Sequence, residues 1–462
     1  MTPRLAWPLA VLLMLAALLW PAFWNGFPII FADTGGYLER PFAGDLVMGR
    51  SALYGAFLAL GLKLDFWPNI AAQAALTIWI LRLTLRAHGL GGRPWLAAAI
   101  VIALCVLTAL PFYVSQLMPD CLAPLAVLAL HLLAFRRETL GGTEIVGLAA
   151  IMAFAIASHM ATLALCFALL LAFAILRVAA GRLALWRPAF PAPLLAVGAG
   201  IGLALLSNLA ITGQFAFTPG GTSFLFGRLI QDGIVKRYLT ERCPDPSIRL
   251  CAYRNELPKS ADDWLWGNSP FHQLGGDDGY ASEERRIILD TLRLYPGTHL
   301  AVAAQAAFDQ FFLLKTTASV SQPHNAFVLK TFEQLAPELM PRLRAARQQQ
   351  PDGFELAPKT MQWLRAPIQE NDAFAFVPFN LLHVPVAFLA IAMLPVIIVL
   401  GIRRRLQPEA ATLATTIGLV LLANAAIAGV FSNPVDRYQS RLVWLALFAV
   451  FVAFLTRSRR LV

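Results

Sequence analysis

Apolar runs of about twenty residues recur along this chain, starting with Leu5 to Trp24, and each is ended by charge, proline or glycine. A helix of that length just crosses about 30 Å of hydrocarbon, and it satisfies its own backbone polar groups on the way. Such runs are read near 5–24, 68–86, 95–114, 119–135, 145–160, 161–180, 190–212, 376–402, 409–431 and 441–456. The expected fold is therefore an all-α polytopic membrane protein of about ten transmembrane helices. Charged residues make up 14% of the chain against 58% hydrophobic, far below the roughly 25% charge of soluble domains. A water-soluble fold would have no interior large enough for that surface. The first run continues through Trp20, Phe23 and Trp24 with no small-residue cleavage site, so it reads as a retained helix rather than a secretory signal.

The net charge of +10 is a topology signal and not a nucleic-acid footprint, because the basic residues crowd alternate helix ends. Arg82, Arg86 and Arg93; Arg136 and Arg137; Arg177, Arg182 and Arg187; Arg403 to Arg405; and Arg457, Arg459 and Arg460 fall on one side if every run crosses once. The positive-inside rule makes that side cytoplasmic, with both termini there. The loop 25–67, the turns near 115–120 and 157–161, the segment 214–375 and the turn 432–440 then lie outside. The apolar stretch 51–63 is too short to span and is expected to lie along the interface. Within 214–375, the stretches 282–295 and 331–347 read as helices of an external domain or lid. The run 299–314 reads as a membrane-apposed amphipathic helix, with a pair of extra spans as the competing reading. The chain thus divides into an N-terminal membrane module (1–213), an external domain (214–375) and C-terminal membrane helices (376–462). Cys105, Cys121 and Cys166 lie in apolar runs as core fillers, whereas Cys243 and Cys251 flank a polar loop and are disulfide candidates in an oxidising compartment.

Four polar sites fall on the outer side. In FADTGGYLE, 31–39, Asp33 precedes two glycines. An Asx turn accounts for this, and so does a carboxylate placed to take a proton from a hydroxyl nucleophile, with Glu39 as a second acid or a metal ligand and Tyr37 against a substrate. Asp120 opens a helix after Met118-Pro119, where it could cap that helix or join Asp33 in one external pocket. His159 is a third polar group on that face, either interfacial or functional. Arg437 and Arg441, in NPVDRYQSR, are basic residues on the side that otherwise lacks them. They could anchor headgroups, or bind a phosphate bidentately, and Arg40, Arg50, Lys63 and Arg228 could join them. His324 reads as part of a loop. No P-loop, Gly-x-Ser-x-Gly elbow or Cys/His metal motif is present in the sequence.

This order of elements resembles the C-type (GT-C) polyprenyl-phosphate-sugar-dependent glycosyltransferases, among them the protein mannosyltransferases and the lipid A aminoarabinose transferases. Asp33, Thr34 and Tyr37 occupy the place of the family's acidic first-loop motif. GRSALYGAFLALGLKL, 49–64, with Arg50 and Tyr54, looks like its interfacial stretch. Met118-Pro119-Asp120 matches its second acid, and Arg437-Tyr438 its terminal Arg-Tyr. The resemblance covers mainly residues 1–180 and the last helix. Thr34 stands where the family carries an adjacent acid, and His159 where it carries a lysine. The resemblance implies inverting transfer from a polyprenyl-phosphate-linked sugar to an envelope glycan, lipid or protein acceptor, on the periplasmic side of a bacterial inner membrane. Asp33 would be the base and Arg437 and His159 would face the leaving phosphate, with a divalent metal as an optional cofactor. A transporter or flippase for a lipid-linked glycan is the alternative, and a non-catalytic polysaccharide assembly protein a third reading.

Overall fold

The computed structural model describes residues 3–25, 27–46, 48–180, 187–316, 334 and 376–457. These residues are helical, with one isolated bridge between Ile29 and Gln116 in place of any strand. Seven helices among them are long and apolar enough to cross a membrane. They are α1 (Pro3–Asn25), α4 (Trp67–Ala87), α9 (Met160–Ala179), α10 (Pro191–Thr212), α17 (Val377–Ile402), α18 (Pro408–Phe431) and α19 (Asp436–Arg457). Three further apolar stretches give shorter helices. The run 95–114 breaks at Thr108, which has extended backbone, and Pro111 then lies in the first turn of the next helix. The run therefore becomes α5 (Pro94–Leu107) and α6 (Leu110–Val114). A 3-10 turn, Pro119–Cys121, leads into α7 (Leu122–Phe135), and α8 (Gly142–Ser158) is separated from α9 by the single extended residue His159.

Contacts at the two ends of the bundle assign these helices to alternate faces. On one face Arg86 pairs with Glu144, Arg136 with Glu409, and Arg82 lies over the ring of Trp7. On the other, Ile29 pairs with Gln116, Ser51 donates to the Ala157 carbonyl, and Asp120 pairs with Arg441. Arg82, Arg86 and Arg136, from two of the basic clusters of the sequence, lie at the first face.

Two short helices occupy the loop after α1: α2 (Ala32–Ala43) and α3 (Ala52–Gly61). Their crossing is tight because Gly55 has no side chain; a Cβ there would stand 2.1 Å from the Tyr37 carbonyl oxygen. Between α10 and α17 lie α11 (Gly221–Gln231), α12 (Ile234–Arg242), α13 (Ala261–Trp266), α14 (Pro270–Gln273) and α15 (Gly276–Leu294). These helices share their own core, including Phe226, Val235, Leu250, Trp264, Tyr280 and Ile287. Cys243 and Cys251 are joined by a disulfide beside it. The expected helix 282–295 is the second half of α15; the stretch 331–347 and His324 lie outside the described residues. The run 299–314 falls in α16 (Pro296–Phe312), which packs on the outer end of α18. There a Cβ on Gly429 would stand 2.5 Å from the Ala306 carbonyl oxygen, and Gln310 exchanges two 2.9 Å hydrogen bonds with the Val435 backbone.

The core of the α11–α15 domain contains a polar junction. Ser223 Oγ lies 2.6 Å from Glu284 Oε2 and 2.9 Å from Asp277 Oδ1. One hydroxyl hydrogen cannot serve two carboxylates, but a protonated Glu284 donating to Ser223, which donates in turn to Asp277, satisfies all three groups. Burial pushes the Glu284 carboxyl up to about 7, against the lowering effect of its hydrogen bonds with Ser223 and Trp264.

Two predictions follow from this packing. Gly55→Ala drives a methyl group into backbone and is expected to cost about 1–3 kcal/mol, whereas Gly198→Ala, where a Cβ meets nothing within 4 Å, should be neutral or stabilising; thermal aggregation of the two variants in detergent compares them. Between the ordinary carboxyl value of 4.5 and about 7, folded Glu284 holds a proton that the unfolded chain has released. Stability of the domain should therefore fall as pH rises through that window. Glu284→Gln should flatten this dependence and raise stability at pH 8 by about 2–3 kcal/mol, read from the melting of the full chain by tryptophan fluorescence.

Candidate functional site

The end of the bundle opposite the Arg86–Glu144 pair is assembled around a two-bond bridge. After α1 the chain runs extended through Ile29, whose N–H donates to the Ser115 carbonyl and whose carbonyl accepts from Leu117 N–H, both at 2.9 Å. Thr34 reinforces this bridge: its Oγ1 accepts from the Phe31 N–H at 3.0 Å and donates to the Leu117 carbonyl at 3.2 Å. A carboxylate at position 34 could accept but not donate, so a threonine suits a residue that must join the two loops. The bridge brings Asp33, in the first turn of α2, to the same place as Asp120, in the turn before α7.

The opening turns of α19 supply the counter-charges. Arg437 and Arg441 are four residues apart and so share one helix face. Arg441 Nη1 donates to Asp120 Oδ1 at 3.0 Å, and its Nη2 lies 3.3 Å from Asn424 Oδ1 on α18. Asn424 is held by its own Nδ2, which donates at 2.8 Å to the Tyr438 carbonyl and to Gln439 Oε1. Arg437 stands between the two acids, with Nη1 3.8 Å from Asp33 Oδ2 and Nε 4.0 Å from Asp120 Oδ1. Its guanidinium also lies over the ring of Phe31, 4.2 Å from the centroid, and beside Tyr438. Arg50 completes the array by pairing with Asp33 Oδ1.

The two acids differ in access. The Asp120 side chain is 1% exposed and that of Asp33 is 22% exposed. Three arginines face two carboxylates, so the array has a surplus of positive charge. Buried side-chain atoms here lack hydrogen-bond partners among the described residues: Asp120 Oδ2, Arg437 Nη1, Arg441 Nε and His159 Nδ1, with Ser158 Oγ and Thr162 Oγ1 beside the histidine. Buried polar groups are ordinarily satisfied, so a cluster of open ones marks a polar site with capacity for a ligand. The Ser51 hydroxyl, next to Arg50 in sequence, donates to the Ala157 carbonyl two residues before His159, which brings the histidine to this end of the bundle.

Not every expected residue reaches this site directly. Tyr37 is buried behind the acids, where burial pushes its phenol far above its ordinary value. Its ring meets Tyr54 edge-on, and the Tyr54 hydroxyl donates to Gln73 Oε1 at 2.9 Å. Both tyrosines therefore support α2 and α3 from within. Glu39 is paired with Arg40 at 2.8 Å and not with Asp33, and Arg40 is further engaged by Asp45 and the Gly36 carbonyl. Arg228 pairs with Asp232 within the α11–α15 domain. The site does not fit a divalent cation: both acids are committed to guanidinium groups, and among the described residues no three His, Cys, Asp or Glu side chains converge as a metal site.

Sequence reasoning took Arg441 only as one of two arginines in the turn before the last helix. The four-residue spacing from Arg437 was the available signal for Arg441. Nothing in the sequence pointed to Trp266, whose ring lies 5.7 Å from the Arg50 guanidinium carbon, or to Asp262, whose Oδ1 accepts from Asn433 Nδ2 at 2.8 Å. Both lie on α13, which covers one side of the array. No protein-family model, curated protein or solved structure matches the chain.

Removing one member of a buried ion pair leaves the other unpaired. Asp120→Asn and Arg441→Met are each expected to lower stability by about 3–5 kcal/mol. The double variant should recover part of that loss, because neither charge is then stranded. A double-mutant cycle on melting temperatures in one detergent measures the coupling, and strict additivity would contradict the pairing.

Proposed function

We propose that this chain is an integral membrane glycosyltransferase that moves a sugar, with inversion, from a polyprenyl-phosphate donor to an envelope acceptor on the periplasmic side of a bacterial inner membrane. The observation that carries the reading is the array of Asp33, Asp120, Arg50, Arg437 and Arg441 at one end of an apolar bundle. A lipid-linked phosphate needs such a site: cationic, sheltered from water, and beside hydrocarbon in which its chain can remain dissolved.

In this reading the acceptor hydroxyl gives its proton to Asp33, the more accessible acid, as its oxygen attacks the anomeric carbon. A new glycosidic C–O bond forms on one face of the sugar. The bond from the anomeric carbon to the phosphate oxygen breaks on the other, and its electron pair leaves on the lipid phosphate. Arg437 and Arg441 stabilise the charge that develops there, and prior orientation by Asp120 and Asn424 spares them reorganisation during the step. His159 adds a further polar group to that side. Asp120 acts through the arginines and not on the acceptor, because its side chain is buried and its Oδ1 is held by Arg441.

The ten-span arrangement belongs to the same proposal. The three shorter apolar helices α5, α7 and α8 connect opposite faces of the bundle as the long ones do. With the basic clusters in the cytoplasm, both termini lie inside and the array faces the periplasm. The Cys243–Cys251 disulfide sits in the domain that this topology places in an oxidising compartment.

One observation favours a transporter. Within the bundle His131 stacks on His88, with ring centroids 5.9 Å apart, and bonds to Thr416 Oγ1 at 2.9 Å, while its Nε2 is buried without a partner among the described residues. Ionisable groups inside a membrane bundle often mark a transport path. These histidines lie toward the opposite face from the acid–arginine array, so the two features do not form one continuous site.

The purified chain in nanodiscs should transfer sugar from one member of a panel of polyprenyl-phosphate sugars to a membrane-extract acceptor, detected by mass spectrometry. Asp33→Asn should reduce the rate by about 10²–10⁴ with folding intact, and Arg437→Lys should reduce it through loss of the bidentate geometry. Unimpaired transfer by Asp33→Asn would remove its assignment as base; no product from any donor, with translocation of a labelled lipid-linked glycan, would favour the transporter.

A further inference from the structure

Trp264 and Trp266 stand two residues apart on α13 in opposite environments. Trp264 is fully buried in the α11–α15 core, and Trp266 is 54% exposed. A tryptophan left in the open has a large apolar face with no protein partner covering it. Trp266 is held edge-to-face by Phe224, with centroids 6.2 Å apart, and on its other contact it meets the Arg50 guanidinium that pairs with Asp33. The indole is therefore fixed in orientation beside the proposed base while much of its surface stays accessible.

Polar groups flank it. Asp262, on the same short helix, is anchored by Asn433 from the α18–α19 turn, and Asn433 Oδ1 is buried without a hydrogen-bond partner among the described residues. Asp262 and Trp266 are four residues apart and so share one face of α13. The result is an aromatic plane rimmed by acceptor oxygens. A pyranose has the complementary form: an apolar C–H face that stacks on an aromatic ring, and a rim of hydroxyl donors. An acyl chain would leave Asp262 and Asn433 Oδ1 without donors, and a peptide backbone, although its N–H groups can donate, would leave the indole without a flat apolar partner.

We infer that α13 forms an acceptor subsite for carbohydrate, in which a sugar ring stacks on Trp266 and gives hydroxyl hydrogen bonds to Asp262 and Asn433, so that the acceptor is a glycan. The inference rests on the proposed transferase reading for its role, but it predicts binding that needs no donor. A hydroxyl of the stacked ring is then presented toward Asp33, past Arg50. Trp266 and Asp262 are positioning residues that select the acceptor and orient it.

The test is saturation-transfer NMR of the full chain in nanodiscs against methyl glycosides of glucose, galactose, mannose and N-acetylglucosamine, and their β-linked disaccharides, with no lipid-linked donor present. At least one should bind, and Trp266→Ala should weaken it about tenfold with Trp266→Phe intermediate. Asp262→Ala should weaken it about fivefold. Melting temperatures of the variants separate loss of the site from loss of the fold. Absence of binding by every probe, or equal binding by Trp266→Ala, would overturn the inference. Transfer that proceeds onto a lipid or peptide acceptor, unchanged in Trp266→Ala, would overturn it while leaving the transferase reading intact. Glycoside binding that depends on Trp266, in a chain that transfers no sugar, would do the reverse.

Discussion

The buried pairing of Asp120 with Arg441, with Arg437 close by, is the interaction on which the outer half of this protein depends. A charge withdrawn from water is tolerated only when paired and hydrogen-bonded. Asp120 enters from the turn before α7, the arginines from α19, and Asn424 from α18, so satisfying one carboxylate fixes three helices against each other. The same contacts hold two guanidinium groups in place before any ligand arrives. In the proposed function, stability and anion binding would therefore share a cause.

The remaining constraints follow from where polar backbone can be placed. In a bundle with so little polar surface, irregular chain is confined to the ends. Each irregular stretch near the array is tied by specific bonds: Ile29 to Ser115 and Leu117, Gln310 to Val435, Thr316 to Asn380. Asn380 Nδ2 donates to the Thr316 carbonyl, while Thr316 N–H donates to Asn380 Oδ1, both at 2.7 Å. These bonds tie the loop after α1 to the turn before α7, the last turn of α16 to the turn before α19, and Thr316 to α17. Among the described residues, the face toward α13 is built from a separate core and carries the aromatic ring of Trp266 and the carboxylate of Asp262.

The apolar runs and the alternation of arginine clusters are local properties of the sequence, and they were enough to establish a helical membrane protein and to read 51–63, which holds α3, as a short element outside the spans; Asp33, Asp120, His159 and Arg437 stood out as candidates by residue type and position, whereas the helix α2 around Asp33 was read as a turn. Their physical basis is direct, since length and composition decide whether a segment can reside in hydrocarbon. The pair Cys243 and Cys251 was equally legible because their separation is short. Boundaries were less so: Thr108 divides one apolar run, and a single residue separates α8 from α9, because proline and extended backbone act within a turn while hydropathy averages over many residues.

What only the tertiary structure decided was partnership. The sequence could not distinguish a capping role for Asp120 from an ion pair with a residue more than three hundred positions away, nor show that Glu39 is occupied by Arg40 and Tyr54 by Gln73. Trp266 was invisible for the same reason: its difference from Trp264 is one of exposure, and exposure depends on which neighbours the fold supplies. The sequence by itself determined the solvent in which each segment resides, because that is set by the segment's own surface. Which charges meet, and which aromatic ring is left uncovered beside them, was settled by packing, because pair energies depend on distances that no local stretch of chain contains.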